Sequence, residues 1–134
     1  MTLEFVEPPG WVAPKGYHNG VLAPAGARTL FVAGQIAWDA EQELVGGSDF
    51  VRQFDQALAN VLAVVAAAGG VPADVARMTV FVTDKKRYLA ALKELGDVWR
   101  ERMGRHYPAM ALVEVRALVE DGALVEIEAT AAIG

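Results

Sequence analysis

The sequence predicts an α/β (α+β) fold in which a mixed β-sheet carries two helices on one face. Three observations lead to it. Apolar residues recur with a period of two in some segments and with a helical period in others, and Pro and Gly cluster between those segments. The elements run strand, strand, helix, strand, helix, strand, strand, an order that suits helices layered on a sheet. At 134 residues the chain can bury one sizeable core, so a single domain over 1–134 is expected.

Pro8-Pro9-Gly10, Pro14-Lys15-Gly16 and Pro24-Ala25-Gly26 punctuate the amino-terminal region and leave room only for a short strand at Gly20-Val21-Leu22-Ala23. Thr29 to Ile36 is β-rich and follows after a few turn residues, which predicts a hairpin with that first strand. Gly34 inside it marks a bulge or a close approach to the backbone. From Phe50 a stripe of Phe50, Phe54, Ala57, Leu58, Val61, Leu62 and Val65 predicts a helix, capped by Ser48 or Asp49 and ended by Gly69-Gly70. Ala76 to Val82 alternates as a strand, with Met78, Val80 and Val82 on one face and Arg77, Thr79 and Phe81 on the other. Asp84 caps a second helix with the stripe Tyr88, Leu92, Leu95, Trp99 and Met103, and Gly104 stops it.

Ala109 to Arg116 and Leu124 to Ala131 supply the last two strands. The Glu120-Asp121-Gly122 turn between them predicts that they pair antiparallel as neighbours and line the functional pocket together. If Val113 and Val115, with Val125, Ile127 and Ala129, meet the helices, then Glu114, Glu126 and Glu128 must find water or another subunit. The opposite sheet face has no element left to cover it. A site at a subunit interface is therefore expected, with a small-molecule ligand.

Composition excludes several classes of function. There is no Cys, so disulfides, thiolate zinc sites and a Cys nucleophile are all absent. A net charge of −5 disfavours RNA or DNA as the main partner, because neutralising phosphates needs clustered Lys and Arg. No apolar run reaches the roughly 20 residues that cross a bilayer, and no basic segment followed by an apolar stretch marks a secretory signal, so a cytoplasmic location without membrane partners is expected. With 54% hydrophobic and only 22% charged residues, the chain is expected to cover apolar surface against copies of itself.

His18 and His106 stand in no metal-binding spacing, and no G-x-S-x-G, Walker or dinucleotide motif occurs, so neither metal nor cofactor is expected. Gly46-Gly47 and Gly69-Gly70 read as turn and helix-end glycines. Arg100, Arg102 and Arg105 sit in and just beyond the last turn of a helix, where cations complement the macrodipole. Lys85-Lys86-Arg87 sits at a helix start, either as a solvated surface or as an anion-facing patch. Glu126 and Glu128 interrupt a strand of Leu, Val, Ile and Ala; such carboxylates either serve as general acid or base or simply face solvent. Tyr17-His18-Asn19, in a glycine-flanked loop, is either a ligand lining or an ordinary surface turn.

Taken in order, these residues resemble the RidA family, also called YjgF-like and formerly endoribonuclease L-PSP, over nearly the whole chain. The carrying segments are Gly20-Val21, Leu30 to Ile36, Val45-Gly46-Gly47, Thr79 to Asp84, Tyr107-Pro108-Ala109, Val113-Glu114-Val115 and Val125 to Ala129. The resemblance implies a chorismate-mutase-like homotrimer with pockets between subunits. In the family's deaminating members a tyrosine, a strand arginine and a glutamate surround an enamine or imine derived from an amino acid. The tyrosine matches Tyr17, the glycine Gly34 and the glutamate Glu126, which would polarise water. The arginine does not carry over: the family's Pro-Ala-Arg-Ser is Pro108-Ala109-Met110-Ala111 here, and the helix asparagine falls at Leu92. Met110 and Ala111 are therefore ligand-lining candidates without a grip on a carboxylate. Arg116 lies roughly 20 Å along the strand, at about 3.3 Å per residue, and cannot substitute. Arg105, His106, His18 or Lys15 of a neighbouring subunit are the candidate cations, with His18 and Arg105 as accessory site residues. The resemblance thus implies either an enamine or imine hydrolase distinct from a standard 2-imino acid deaminase, or a non-catalytic binding module in the same cleft; ribonuclease activity ranks last.

Overall fold

The structure, a computed structural model, describes residues 2–134. Two sheets form. The small one pairs β1 (Glu4–Val6) antiparallel with β2 (Gly20–Leu22). The main one contains β3 (Arg28–Gln35), β4 (Val75–Val82), β5 (Ala109–Glu114) and β6 (Val125–Ile133) in the order β3-β6-β4-β5. Three helices, α1 (Phe50–Ala67), α2 (Lys85–Ala90) and α3 (Leu92–Met103), complete a mixed α+β fold.

β4 is the reason for that strand order. Val75, Met78, Val80 and Val82 are wholly buried, so β4 needs a strand on either side, and β6 and β5 supply them, antiparallel and parallel respectively. The last two strands are consequently not neighbours, contrary to the expectation from the Glu120-Asp121-Gly122 turn. That segment belongs to the ten-residue connection between Glu114 and Val125, which passes the end of β4. The first hairpin fails for a similar reason: β2 pairs with β1, a strand that the proline-rich amino-terminal sequence conceals, and not with β3. The second helix divides at Ala91, which leaves helical dihedrals at φ −112° and ψ 17°. Strand β5 stops at Glu114, two residues before Arg116.

The register also decides which face is buried. Met78 and Val80 pair with Met110 and Leu112, so these two residues of β5, and not Val113, face the helices; Val113 is exposed. On β6 the expected alternation holds, with Val125, Ile127 and Ala129 buried beneath the helices. Helix α1, capped by Asp49 through Arg52 N at 3.1 Å, lays Phe50, Phe54, Ala57, Leu58, Val61 and Val65 across β6 and β3. α3 packs beside α1 and buries Leu95, Trp99 and Met103. The opposite face of the sheet carries no helix, and Phe31 there is 78% exposed. No helix among the described residues is long and apolar enough to cross a membrane.

Two polar ties hold the periphery. Gln53 lies on the buried face of α1, donates from Nε2 to the carbonyls of Gly47 (2.6 Å) and Gly122 (2.9 Å), and accepts from Leu124 N at 2.9 Å. It thereby joins the loop before α1 to the start of β6. At the other end Glu7 accepts from the Asn19 backbone and side chain and from His18 Nδ1 at 3.0 Å, while the His18 ring stacks on Phe5 with centroids 3.9 Å apart. Desolvation works to raise the Glu7 carboxyl, but the hydrogen bonds from the Asn19 side chain, His18 and the Asn19 backbone together outweigh it and hold the pKa below its ordinary value.

Replacing Gln53 by Leu removes the side-chain partner of two carbonyls and one N–H on half-buried and exposed loops and is expected to lower unfolding stability by about 1–3 kcal/mol, read from the urea midpoint at unchanged slope. Because the Glu7 pKa is depressed on folding, its contribution is present above the unfolded value and is lost as pH falls through the lowered one. The protection factors of the amides of residues 4–6 and 20–22, taken against the intrinsic exchange rate at each pH, should therefore fall on acidification ahead of those of the main sheet, and Glu7→Gln should abolish that difference.

Candidate functional site

Two hollows lie on opposite faces of the main sheet. The first is at its β5 edge on the helix side. Tyr88, Leu92, Leu95, Gly96, Trp99 and Met110 line an apolar cleft of about 210 Å³, with Leu112 and Tyr107 alongside. Its mouth, about 320 Å³, adds Lys15 and Tyr17 to Gly16, Tyr88, Met110 and Leu112, which line both parts. The loop holding Tyr17 is anchored where His18 N donates to Pro108 O at 3.0 Å and bridges to Ala109, which carries Tyr17 to the side of Met110. The wall behind is held by Trp99, whose Nε1 donates to His106 O at 3.0 Å and whose ring lies parallel to Tyr107 with centroids 5.9 Å apart. Burial pushes the Tyr88 phenol above its ordinary pKa, so at neutral pH it stays a hydrogen-bond donor. Its hydroxyl has no hydrogen-bond partner among the described residues.

The second hollow, about 120 Å³, is lined by Gly34, Ile36, Trp38, Val119, Glu120 and Glu126. β3 slips register between Val32 and Gln35, and the bulge brings the Gly34 backbone against Glu126. A Cβ on Gly34 would lie 2.9 Å from the Glu126 carboxyl carbon and closer still to Oε2, so the carboxylate occupies the room that a side chain would take. Both alternatives read from Gly34, a bulge and a close approach, are thus realised together. Asn60 of α1 donates to the carbonyls of Ile36 (3.0 Å) and Trp38 (2.8 Å), which fixes the rim of this hollow.

Tyr17 and Met110 therefore share the first hollow, and Gly34 and Glu126 share the second. Met110 pairs with Met78 on the helix face, whereas Glu126 pairs with Phe81 on the other, so within one chain the strands do not line a common pocket. This corrects the shared lining expected of them, and the cause is β4 between them. Ala111, opposite Thr79, faces away from Met110 and towards Glu128. His18 is occupied by Glu7 and Phe5, and His106 Nε2 by the Val75 carbonyl at 2.6 Å. Arg105 is exposed beyond α3 and lines neither hollow. Lys15 lies at the cleft mouth of its own chain. Gly96 went unnoticed in the sequence, although a glycine inside an otherwise good helical stripe is itself a signal. Arg102 pairs with Asp55 at 2.8 Å and Arg100 with Asp97, so the helix-end cations are engaged on the surface. No group of three metal-ligating side chains occurs among the described residues.

This α+β fold is that of a known class of proteins. The Endoribonuclease L-PSP profile covers residues 12–133, and the chain belongs to that family, which includes the RidA and YjgF-like proteins. It is 36% identical to a RutC family protein of Pyrococcus horikoshii over 89% of this chain and 90% of the relative. It is 35% identical to the 2-iminobutanoate/2-iminopropanoate deaminase of Capra hircus over 88% of this chain and 80% of that one. Its fold superposes on the crystal structure of the Rid family protein YyfB of Yersinia pestis with a TM-score of 0.86, 35% identity and coverage of 99% and 100%.

Gly34 has no positive φ, so alanine suits its backbone and the cost falls on the flexible end of Glu126. Gly34→Ala is expected to keep unfolding stability within about 1 kcal/mol while displacing the carboxylate. Carboxyl-carbon NMR of Glu126 checks this; an unmoved resonance would show that the glycine does not seat it.

Proposed function

We propose that the chain is a RidA-type hydrolase of reactive enamines or imines, working in a pocket completed between copies of itself, and that it differs from a standard 2-imino acid deaminase. The observation that carries this reading is the seating of the Glu126 carboxylate in the space left by Gly34, beside a hollow open to the surface. A second copy in a homotrimer would bring its Tyr17 and Met110 cleft to that hollow. The uncovered outer face, with Phe31 exposed, supports such an assembly. Kinship with a deaminase supports the reaction class. In that reaction Glu126 polarises a water, the oxygen adds to the imine carbon, the nitrogen takes up protons, and ammonia leaves to give a carbonyl product. Small-molecule chemistry in the cytoplasm, without nucleic acid or membrane, is part of the same reading.

Met110 sets the limit on substrate. A guanidinium at this position would grip a carboxylate with two charge-assisted hydrogen bonds, and losing one partner of such a pair costs about 2–5 kcal/mol. Together with Leu92, Met110 makes the cleft apolar, which also favours a second reading, a non-catalytic metabolite-binding module.

The test is ammonia release from freshly generated 2-iminopropionate and from an uncharged imine. Acceleration of at least one is expected, lowered on the order of 100-fold by Glu126→Gln, with Met110→Arg shifting preference towards 2-iminopropionate. A folded, assembled protein that accelerates neither would overturn hydrolysis in favour of the binding module.

A further inference from the structure

Gly96 occupies the interior of α3, where glycine weakens a helix relative to alanine, yet nothing crowds it: an added Cβ would meet only the Arg100 guanidinium, at 3.6 Å. Backbone conformation does not require glycine there either, since its φ is not positive. What the missing side chain provides is space in the cleft, whose wall it forms with Leu95, Trp99 and Met110. The resulting 210 Å³ exceeds the ~150 Å³ of an apolar cavity that admits benzene. No charged side chain among the described residues lines this inner part. At the mouth stands Lys15, which makes no ion pair or side-chain hydrogen bond among the described residues, next to the Tyr17 and Tyr88 phenols, whereas the Arg100 guanidinium near Gly96 is paired with Asp97.

We infer that the cleft binds a small amphipathic monoanion, its aromatic or branched aliphatic group seated over Gly96 between Trp99 and Met110 and its acid group held at the mouth by Lys15. This deepens the function proposed above and rests on it for the cleft's role, while naming a substrate class that function leaves open. An exposed lysine alone holds an anion weakly, so a short acid such as propionate gains little. A larger body adds burial against Leu95, Trp99 and Met110, and the acid group then adds to binding already secured by apolar contact. The anchor for the anion is thus on the loop preceding Tyr17, at the mouth, and the apolar seat is deeper in the cleft, which suits a ligand long enough to span the two.

The full-length assembled protein is titrated calorimetrically with 3-phenylpropionate, 3-phenylpropionamide and propionate, none of which can be hydrolysed as an imine. Binding of 3-phenylpropionate at least tenfold tighter than propionate and several-fold tighter than the amide is expected. Gly96→Leu should fill the cleft, weaken 3-phenylpropionate at least tenfold and raise the melting temperature of the free protein. Gly96→Ala, which the structure accommodates, should do both to a lesser degree and serves if the leucine variant does not fold. Lys15→Met should bring the acid down to the affinity of the amide and leave the amide unchanged. Equal binding of propionate and 3-phenylpropionate, or indifference to both Gly96 variants, would overturn the seating. Indifference to Lys15→Met would overturn the anchor. Failure of imine hydrolysis with this binding pattern intact would remove the proposed reaction but not the ligand class, and the converse result would do the opposite.

Discussion

The side-chain alternation of β6, fixed by its pairing between β3 and β4, is the constraint on which the rest of the molecule depends. Val125, Ile127, Ala129 and Ala131 supply the apolar floor beneath α1, and the same pleat sends Glu126 and Glu128 to the other side. A one-residue slip would bury both carboxylates under the helices, so register here is held by the full burial energy of the core. Once the register is set, Glu126 must lie opposite the helix layer. Met110, held to β4 by the Met78 and Val80 pairings, must lie within it.

That separation explains why the two hollows differ in character. The helix-side cleft is walled by aromatic and aliphatic groups, with phenols and a single lysine at its opening. The outer hollow is built around a carboxylate lodged against a glycine backbone. The apolar cleft and the carboxylate thus lie on opposite sides of one sheet, and the proposed reaction needs a second copy of the chain to bring them together.

Irregular segments carry Tyr17 and the rim of the Glu126 hollow, and a few polar side chains tie those segments to the rest of the fold. Asn60 fixes the rim of the Glu126 hollow, Gln53 ties the loops at the start of β6, and Glu7 gathers His18 and Asn19 behind Tyr17. Each satisfies backbone or side-chain groups that a loop leaves unpaired, which is how loops can hold a ligand contact in place.

By itself the sequence determined what local periodicity and capping can carry: the extent of α1 from its Phe50 to Val65 stripe and Asp49 cap, the strand at β4, the alternation along β6, the kinship to RidA-type proteins, and the bulge with a close approach at Gly34. Gln53 escaped notice because a polar residue on an apolar stripe declares itself only when its three distant partners are known. Tertiary structure alone decided that β4 stands between β5 and β6, that β2 turns to β1, that Met110 faces the helices, and that Gly96 opens a cleft with Lys15 at its mouth. The physical reason is the same in each case. Period and turn chemistry act over a few neighbouring residues, whereas strand order is chosen by which apolar strand most needs burial on both sides, a comparison made across the whole chain.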